Sequence, residues 1–378
     1  MRILICPDKF KGSLSAKQVC EALETGIHQG NTLYEIIQLP LADGGEGTLE
    51  VLQVVLGGEM VKHSVLDPLF RPILADYLWI ESDKKAFIEM FRASGLALLA
   101  AHEQNALKTS SFGTGQLILH ALELGAKEII LTIGGSATND AGIGMAAALG
   151  FQFLDVNANA LRPIGENLVH INHISPSKSF NKFKNVVFKV ATDVDNPLFG
   201  LEGAAYVFAA QKGANADAIS YLDKGLINIA QFFDQGQNIS QQTGAGASGG
   251  LGAGAMYFLQ AEKISGSTMV LDAVNFEHEL AKSDFVITGE GKIDEQTWYG
   301  KLVAEVLKRA LKANKKCMLV CGMLDHSEQI PNEFKHLPIL SIASRAKNPA
   351  DSMLNAKKYL EEIGRDVRCK MYDVRCKM

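Results

Sequence analysis

Short apolar runs alternate with helical periods at both ends of this chain, and that alternation constrains its fold more than any other feature. Arg2–Cys6 reads as a buried strand. Ser15-Ala16-Lys17-Gln18 is a capping-box pattern that opens a helix to about His28. Tyr34–Leu39 reads as a second strand and Thr48–Leu56 as a second helix. A βαβα start of this kind predicts a parallel sheet with helices on its faces. The far end repeats it, with strands at Phe285–Thr288, Cys317–Cys321 and Ile339–Ala343 and a helix at Tyr299–Ala313.

The middle differs. Short strands such as Lys85–Met90 and Ile129–Ile133 mix with small-residue helices such as Met145–Leu149, and polar loops surround Ser175–Lys184 and Gln235–Gly254. A chain of 378 residues is expected to hold two domains. The predicted fold is α/β: a Rossmann-like parallel-sheet domain built from both chain ends (1–67 and 284–378), with a second α/β domain (68–283) inserted in the middle. The cleft between two such domains is the default ligand site.

Bulk properties exclude several classes. A net charge of −5 argues against non-specific binding to nucleic acid or anionic membranes, which need a positive field. The apolar run after Met1-Arg2 is too short for a signal-peptide core, and no run of apolar residues is long enough to span a bilayer. A cytoplasmic location is expected, and self-association into a homo-oligomer is left open. The cysteines do not form a disulfide framework. Cys317 and Cys321 have no neighbouring Cys or His cluster for zinc, so buried free thiols are expected. At the C-terminus, Asp366–Met371 and Asp373–Met378 repeat DVRCKM, which reads as a frayed tail.

Four segments carry acids or hydroxyls, three of them rich in glycine. Ala42-Asp43-Gly44-Gly45-Glu46-Gly47-Thr48 follows a strand and opens a helix, where backbone N–H groups and the helix terminus favour an anion. Gly134-Gly135-Ser136-Ala137-Thr138-Asn139-Asp140 offers more hydrogen-bonding side chains than helix capping requires. Thr192-Asp193-Val194-Asp195-Asn196-Pro197 ends a strand, where ligands of α/β proteins bind. Its two carboxylates could hold Mg²⁺ or accept a hydroxyl proton, or simply form an Asx turn. Thr288-Gly289-Glu290-Gly291-Lys292-Ile293-Asp294, followed by Gly300-Lys301, leaves a strand and combines acid, lysine and glycine as phosphate handling requires, or is simply a flexible charged loop. Asp8-Lys9-Phe10-Lys11-Gly12-Ser13 leaves the first strand, and Lys9 and Lys11 could neutralise a carboxylate or phosphate. Arg71 and Lys212 are further cations.

Other patterns fail on context. Gly244–Gly249 fits G-x-G-x-x-G, and Gly246–Gly250 fits G-x-S-x-G. Both lack the preceding apolar strand that their mechanisms need. No Walker-type P-loop is present, and His170 and His173 read as structural.

Together these segments resemble the bacterial glycerate kinase family of the two-domain α/β type. The resemblance rests on PDKFKGSLSA (Pro7–Ala16), LADGGEGT (Leu41–Thr48), DPLFR (Asp67–Arg71), IEMFRASGL (Ile88–Leu96) and TSSFGTG (Thr109–Gly115). It continues through IGGSATNDAGIGMAAALG (Ile133–Gly150), ATDVDNPLFG (Ala191–Gly200), VFAAQKGA (Val207–Ala214), GASGGLGAG (Gly246–Gly254) and ITGEGKIDEQTWYGK (Ile287–Lys301). The resemblance implies transfer of the ATP γ-phosphate to D-glycerate with Mg²⁺, usually giving 2-phosphoglycerate rather than the 3-phosphate, in glycerate and glyoxylate catabolism. Under it, Asp193 is the expected base, and Asp43, Glu290 and Asp195 are the expected metal ligands. Lys9, Lys11, Ser13, Arg71, Gly134, Gly135, Ser136, Thr138, Asn139, Gly289, Gly291 and Lys301 are expected to meet substrate or phosphate. The rival readings are a NAD-dependent hydroxypyruvate reductase and a non-catalytic protein that binds a small acid.

Overall fold

The computed structural model describes residues 1–30, 33–177, 180–298, 302–325 and 330–373. In chain order the strands begin with β1 (Arg2–Ile5), β2 (Glu35–Gln38), β3 (Glu59–Leu66), β4 (Pro72–Ile80), β5 (Lys85–Glu89) and β6 (Glu128–Thr132). They continue with β7 (Gln152–Leu154), β8 (His173–Ser175), β9 (Val187–Ala191) and β10 (Glu262–Ile264), and end with β11 (Phe285–Ile293), β12 (Lys316–Leu324) and β13 (Ile339–Ser341). Among the described residues, no helix is long and apolar enough to cross a membrane.

The chain divides into two compact units. One comprises Met1–Asp43, Glu50–Val55 and Ser267–Met378, and the other comprises Gly44–Leu49 and Leu56–Gly266. The divides lie ahead of the expected Asp67 and Asp284. Strand β3 pairs along its whole length with β4, so it stays with the second unit. Phe276 and Leu280 pack in one core with Leu4 and Val286, so their helix stays with the first.

In the first unit the sheet order is β13-β12-β11-β1-β2, and every neighbouring pair is parallel. Alternate residues serve opposite faces. Ile3, Ile5, Phe285 and Ile287 join one core, while Leu4, Cys6, Val286 and Cys317 join the other. A sheet covered on both faces demands apolar residues on both, which explains the unbroken apolar runs in its strands. Cys6, Cys20, Cys317 and Cys321 are free and buried, and burial pushes the Cys317 and Cys321 thiols up to about 12. The capping box is present, since Ser15 Oγ accepts from Gln18 N and Gln18 Oε1 accepts from Ser15 N.

Two expectations change here. The segment Thr288–Ile293 is not a loop. It continues β11 and pairs with β12 as far as Ile293↔Leu324. Its glycines and charges suggest a loop, but ladder hydrogen bonds from a long neighbouring strand outweigh local preference. The C-terminal repeat is not wholly frayed either. The helix Ala356–Asp373 carries the first copy, with Asp366 paired to Arg345 at 2.7 Å and Val367 buried. Of the second copy, only Asp373 lies within the described residues.

The second unit holds a six-stranded mixed sheet in the order β10-β9-β6-β5-β4-β3. Strands β10, β9, β6 and β5 run parallel, whereas β4 is antiparallel to both of its neighbours, β5 and β3. A two-stranded sheet, β7-β8, accompanies it.

The helices Ala16–Gly30 and Ala356–Asp373 pack closely because small residues face each other. A Cβ on Gly26 would stand 2.0 Å from the Glu361 carbonyl oxygen, and one on Gly364 would stand 2.5 Å from that of Leu23. Gly26→Ala must therefore push the helices apart. It should destabilise the unit by about 1–3 kcal/mol in urea denaturation, whereas Lys17→Ala on the exposed face should stay within roughly 0.5 kcal/mol.

Candidate functional site

In the second unit the parallel strands end on one line. Glu89 lies beside Thr132, Thr132 beside Ala191, and Ala191 beside Ile264. Residues just past that line leave the sheet side by side, at the carboxyl edge where α/β proteins bind ligands. Asp193 follows β9, and Ser265-Gly266 follow β10. Asp193 Oδ1 accepts from Ser265 Oγ at 2.7 Å and from Gly266 N at 2.9 Å. Gly266 in turn meets the first glycine segment, since a Cβ on Gly44 would stand 2.9 Å from Gly266 Cα. The turn after β6 arrives there too, with Gly134 so placed that a Cβ would stand 3.2 Å from Gly45 Cα. Thus the segments at 44–47, 134–140 and 192–195 come together within this unit.

One expectation about the first segment is corrected. The N-terminus of helix Thr48–Leu56 does not await an external anion. Glu89 Oε1, wholly buried, accepts from Thr48 N at 2.8 Å and Leu49 N at 3.2 Å, and the Glu89 carboxylate is also paired with Arg92.

The turn after β6 is held from several sides. Gly135 carbonyl accepts from Leu96 N, Ala137 N donates to Ser94 carbonyl, and Ser136 bridges Gly95. Asp140, fully buried, accepts from Ser111 N, Ser111 Oγ, Gly142 N and Gly144 N. Burial raises its carboxyl, and those four donors pull it back. Lys212, also buried, donates from Nζ to Ser136 Oγ and to the Thr138 carbonyl, each at 2.7 Å. Desolvation lowers its ammonium to about 7, and Asp140 partly opposes this. Thr138 Oγ1 and both polar atoms of the Asn139 amide are buried without a hydrogen-bond partner. The region rejected as a dinucleotide fingerprint packs on this turn, with a Cβ on Gly249 standing 2.0 Å from the Thr138 carbonyl oxygen.

In the first unit, strands β1 and β11 flank the topological switch point. From β1 the chain steps to β2 on one side and later returns to β11 on the other. Residues 6–8 extend β1 between its neighbours, since Cys6 N donates to Ile287 carbonyl, Asp8 N to Gly289 carbonyl, and Leu41 N to Pro7 carbonyl. This buries Asp8. Desolvation, reinforced by Asp43 and by Glu290, raises its carboxyl to about 7 against the pull of Lys9. Lys9 Nζ lies 4.0 Å from Asp43. Asp8, Asp43 and Glu290 thus share one electrostatic neighbourhood. Their hard oxygens suit Mg²⁺, which commonly takes only one or two protein carboxylates beside phosphates and water. Among the described residues no group of three or more His, Cys, Asp or Glu side chains is placed to hold a metal ion.

The other candidates are engaged elsewhere or exposed. Arg71 pairs with Asp67 and Glu103, closing the DPLFR turn. Asp195 is exposed, and its partner is Lys263 at 3.2 Å. Ser13 Oγ donates to the Met353 carbonyl, and Lys11 is exposed. Gly289 and Gly291 lie in β11, where a Cβ on Gly291 would stand 3.1 Å from Lys11 N and Phe10 Cα. Lys301 falls outside the described residues. Sequence reasoning passed over Asp8, Ser265 and Gly266. Asp8 alone carried a signal, as an acid directly after a buried strand.

A parallel sheet with acids at its switch point, and a second sheet whose strand ends gather glycine turns, hydroxyls and a carboxylate, define an α/β protein built to hold a small polar ligand. The family model described as the glycerate kinase family matches residues 3–372. A glycerate kinase of Halalkalibacterium halodurans is 41% identical over 370 residues, covering 97% of each chain. A glycerate 2-kinase of Escherichia coli is 42% identical over 326 residues, covering 86% of each. A crystal structure assigned to glycerate kinase 2 from Salmonella typhimurium is 36% identical, with a TM-score of 0.81 over 99% of both chains. The chain belongs to the glycerate kinase family.

The raised Asp8 carboxyl has a consequence for stability. Below about pH 4 folded and unfolded chains both hold this proton. Between about 4 and 7 only the folded chain keeps it, so stability falls as pH rises, and above about 7 the full penalty applies. Asp8→Asn in the metal-free protein should remove that decline. The gain over wild type should reach about 2–4 kcal/mol at pH 8 and nearly vanish at pH 4 in denaturant titrations. A gain independent of pH would show that Asp8 does not hold its proton in the fold.

Proposed function

We propose that this protein transfers the γ-phosphate of ATP to a hydroxyl of D-glycerate, with 2-phosphoglycerate as the product. The observation that carries this reading is the match to glycerate kinases along nearly the whole chain, supported at residue level by the placement of Asp193. A family relative named as a glycerate 2-kinase supports the 2-phosphate.

Phosphoryl transfer asks a protein mainly for positioning and charge neutralisation. Asp193 accepts the proton from the substrate hydroxyl. Its Oδ1 is held by Ser265 and Gly266, so the carboxylate is oriented before substrate arrives. Lys9 and Lys11 neutralise the carboxylate or phosphates. The turn Gly134–Asn139 supplies backbone N–H groups and hydroxyls to the ligand. Asp43 and Glu290 hold Mg²⁺, which when bound supplies charge neutralisation on the transferring phosphates. Asp195 and Arg71, committed to protein partners, are left out of this set.

Incubation with ATP, Mg²⁺ and D-glycerate should yield ADP and a ³¹P NMR signal of 2-phosphoglycerate. A 3-phosphoglycerate signal would overturn the regiochemistry, and no phosphorylated product would overturn the activity. Asp193→Asn should lower kcat by roughly 100-fold or more, in the range of general-base effects, while circular dichroism stays unchanged. Ser265→Ala leaves the carboxylate but removes one of its supports, and should lower kcat by about 3- to 10-fold.

A further inference from the structure

Lys212 is a cation that the reaction scheme does not use, yet it is almost wholly buried and makes two short hydrogen bonds to the turn 134–140. One goes to the Thr138 carbonyl, which can only accept. The other goes to Ser136 Oγ. A serine hydroxyl has one proton and two lone pairs. When the ammonium donates into one lone pair, the hydroxyl proton is directed elsewhere, and Ser136 becomes a donor. In the same turn, Thr138 Oγ1 and the Asn139 amide are buried with no partner in the protein. Buried polar groups are normally satisfied, so such a pair marks a place where something outside the chain completes the hydrogen bonding.

From this geometry we propose that Lys212 is a positioning residue which turns Ser136 into a hydrogen-bond donor, and that Ser136, Thr138 and Asn139 form a subsite for an anionic oxygen. The oxygen belongs either to the carboxylate of the hydroxy-acid substrate or to a nucleotide phosphate. The assignment rests on the functional reading above for the identity of these probes.

The arrangement carries its own pH dependence. A neutral amine can accept, so on deprotonation Lys212 can accept a hydrogen bond from the Ser136 hydroxyl, which then presents only lone pairs to the anion. Asp140 is the titratable neighbour that acts on Lys212, and it opposes this loss by favouring the ammonium. In the unliganded protein the change falls near pH 7. A bound anion favours the charged form and moves the change upward, so by linkage affinity declines as pH rises through and above 7.

The test is calorimetric titration of D-glycerate and, separately, of ATP into wild type, Ser136→Ala, Ser136→Thr and Lys212→Met between pH 6 and 9. Wild type should lose affinity for one ligand as pH rises. Ser136→Ala should weaken that ligand about tenfold and flatten the profile, as expected for loss of a charge-assisted hydrogen bond. Ser136→Thr, which keeps the hydroxyl, should keep the profile. Loss confined to glycerate assigns the carboxylate, and loss confined to ATP assigns a phosphate; either result supports the subsite. If Lys212→Met does not fold, the Ser136 pair carries the test alone. Affinities of Ser136→Ala within twofold of wild type for both ligands, with an unchanged pH profile, overturn the proposal. Binding needs no turnover, so a chain that shows these shifts yet phosphorylates nothing refutes the kinase reading and leaves the subsite standing. A chain that phosphorylates glycerate without the shifts does the reverse.

Discussion

The alignment of four parallel strand ends is the constraint on which the second unit's site depends. Hydrogen bonding along Glu89, Thr132, Ala191 and Ile264 stops these strands in register. Each chain segment therefore leaves the sheet beside its neighbour, and residues distant in sequence become adjacent. Asp193 meets Ser265 and Gly266 for this reason, across 72 and 73 positions. The glycines follow from the same crowding. Where Gly44 nears Gly266 a side chain would collide with backbone, and where Gly134 nears Gly45 it would press tightly on it. The first unit obeys the same rule at its switch point, where the extension of β1 seats Asp8 against the Gly289 carbonyl.

Burying charge at strand ends has two solutions here. Asp140 receives four hydrogen-bond donors, and these offset much of its desolvation. Glu89 is treated alike by Thr48 N, Leu49 N and Arg92. These carboxylates hold backbone in place. Asp8 and Lys212 have fewer compensating partners, and both are displaced toward neutrality near pH 7. Groups poised in that way gain or lose a proton when a charged ligand arrives, which structural acids do not. The contrast separates scaffold from site more sharply than residue type does.

Much of the fold was legible because its signals are local. The capping box of Ser15 and Gln18 needs only a spacing of three, and the apolar runs of β1, β2, β6 and β9 identify strands directly. Less local features were misread. Thr288–Ile293 has loop composition, yet β12 pairs with it on both sides of Gly291, as far as Ile293. Asp366 and Val367 lie in a repeat that suggests a tail, yet Arg345 and the core beneath the last helix hold them. Arg71 was legible only as a cation, and its pairing with Asp67 and Glu103 was not.

By itself the sequence determined the α/β class, the family, and which short segments carry glycines, acids and hydroxyls, because periodicity and motif are properties of neighbouring residues. Tertiary structure alone decided which of those groups are buried, which face one another and which are neutralised by protein partners. Burial and electrostatic coupling depend on distance through space, and strand register brings Asp193 to Gly266 and Lys212 to Ser136 with no trace of either pairing in the spacing along the chain.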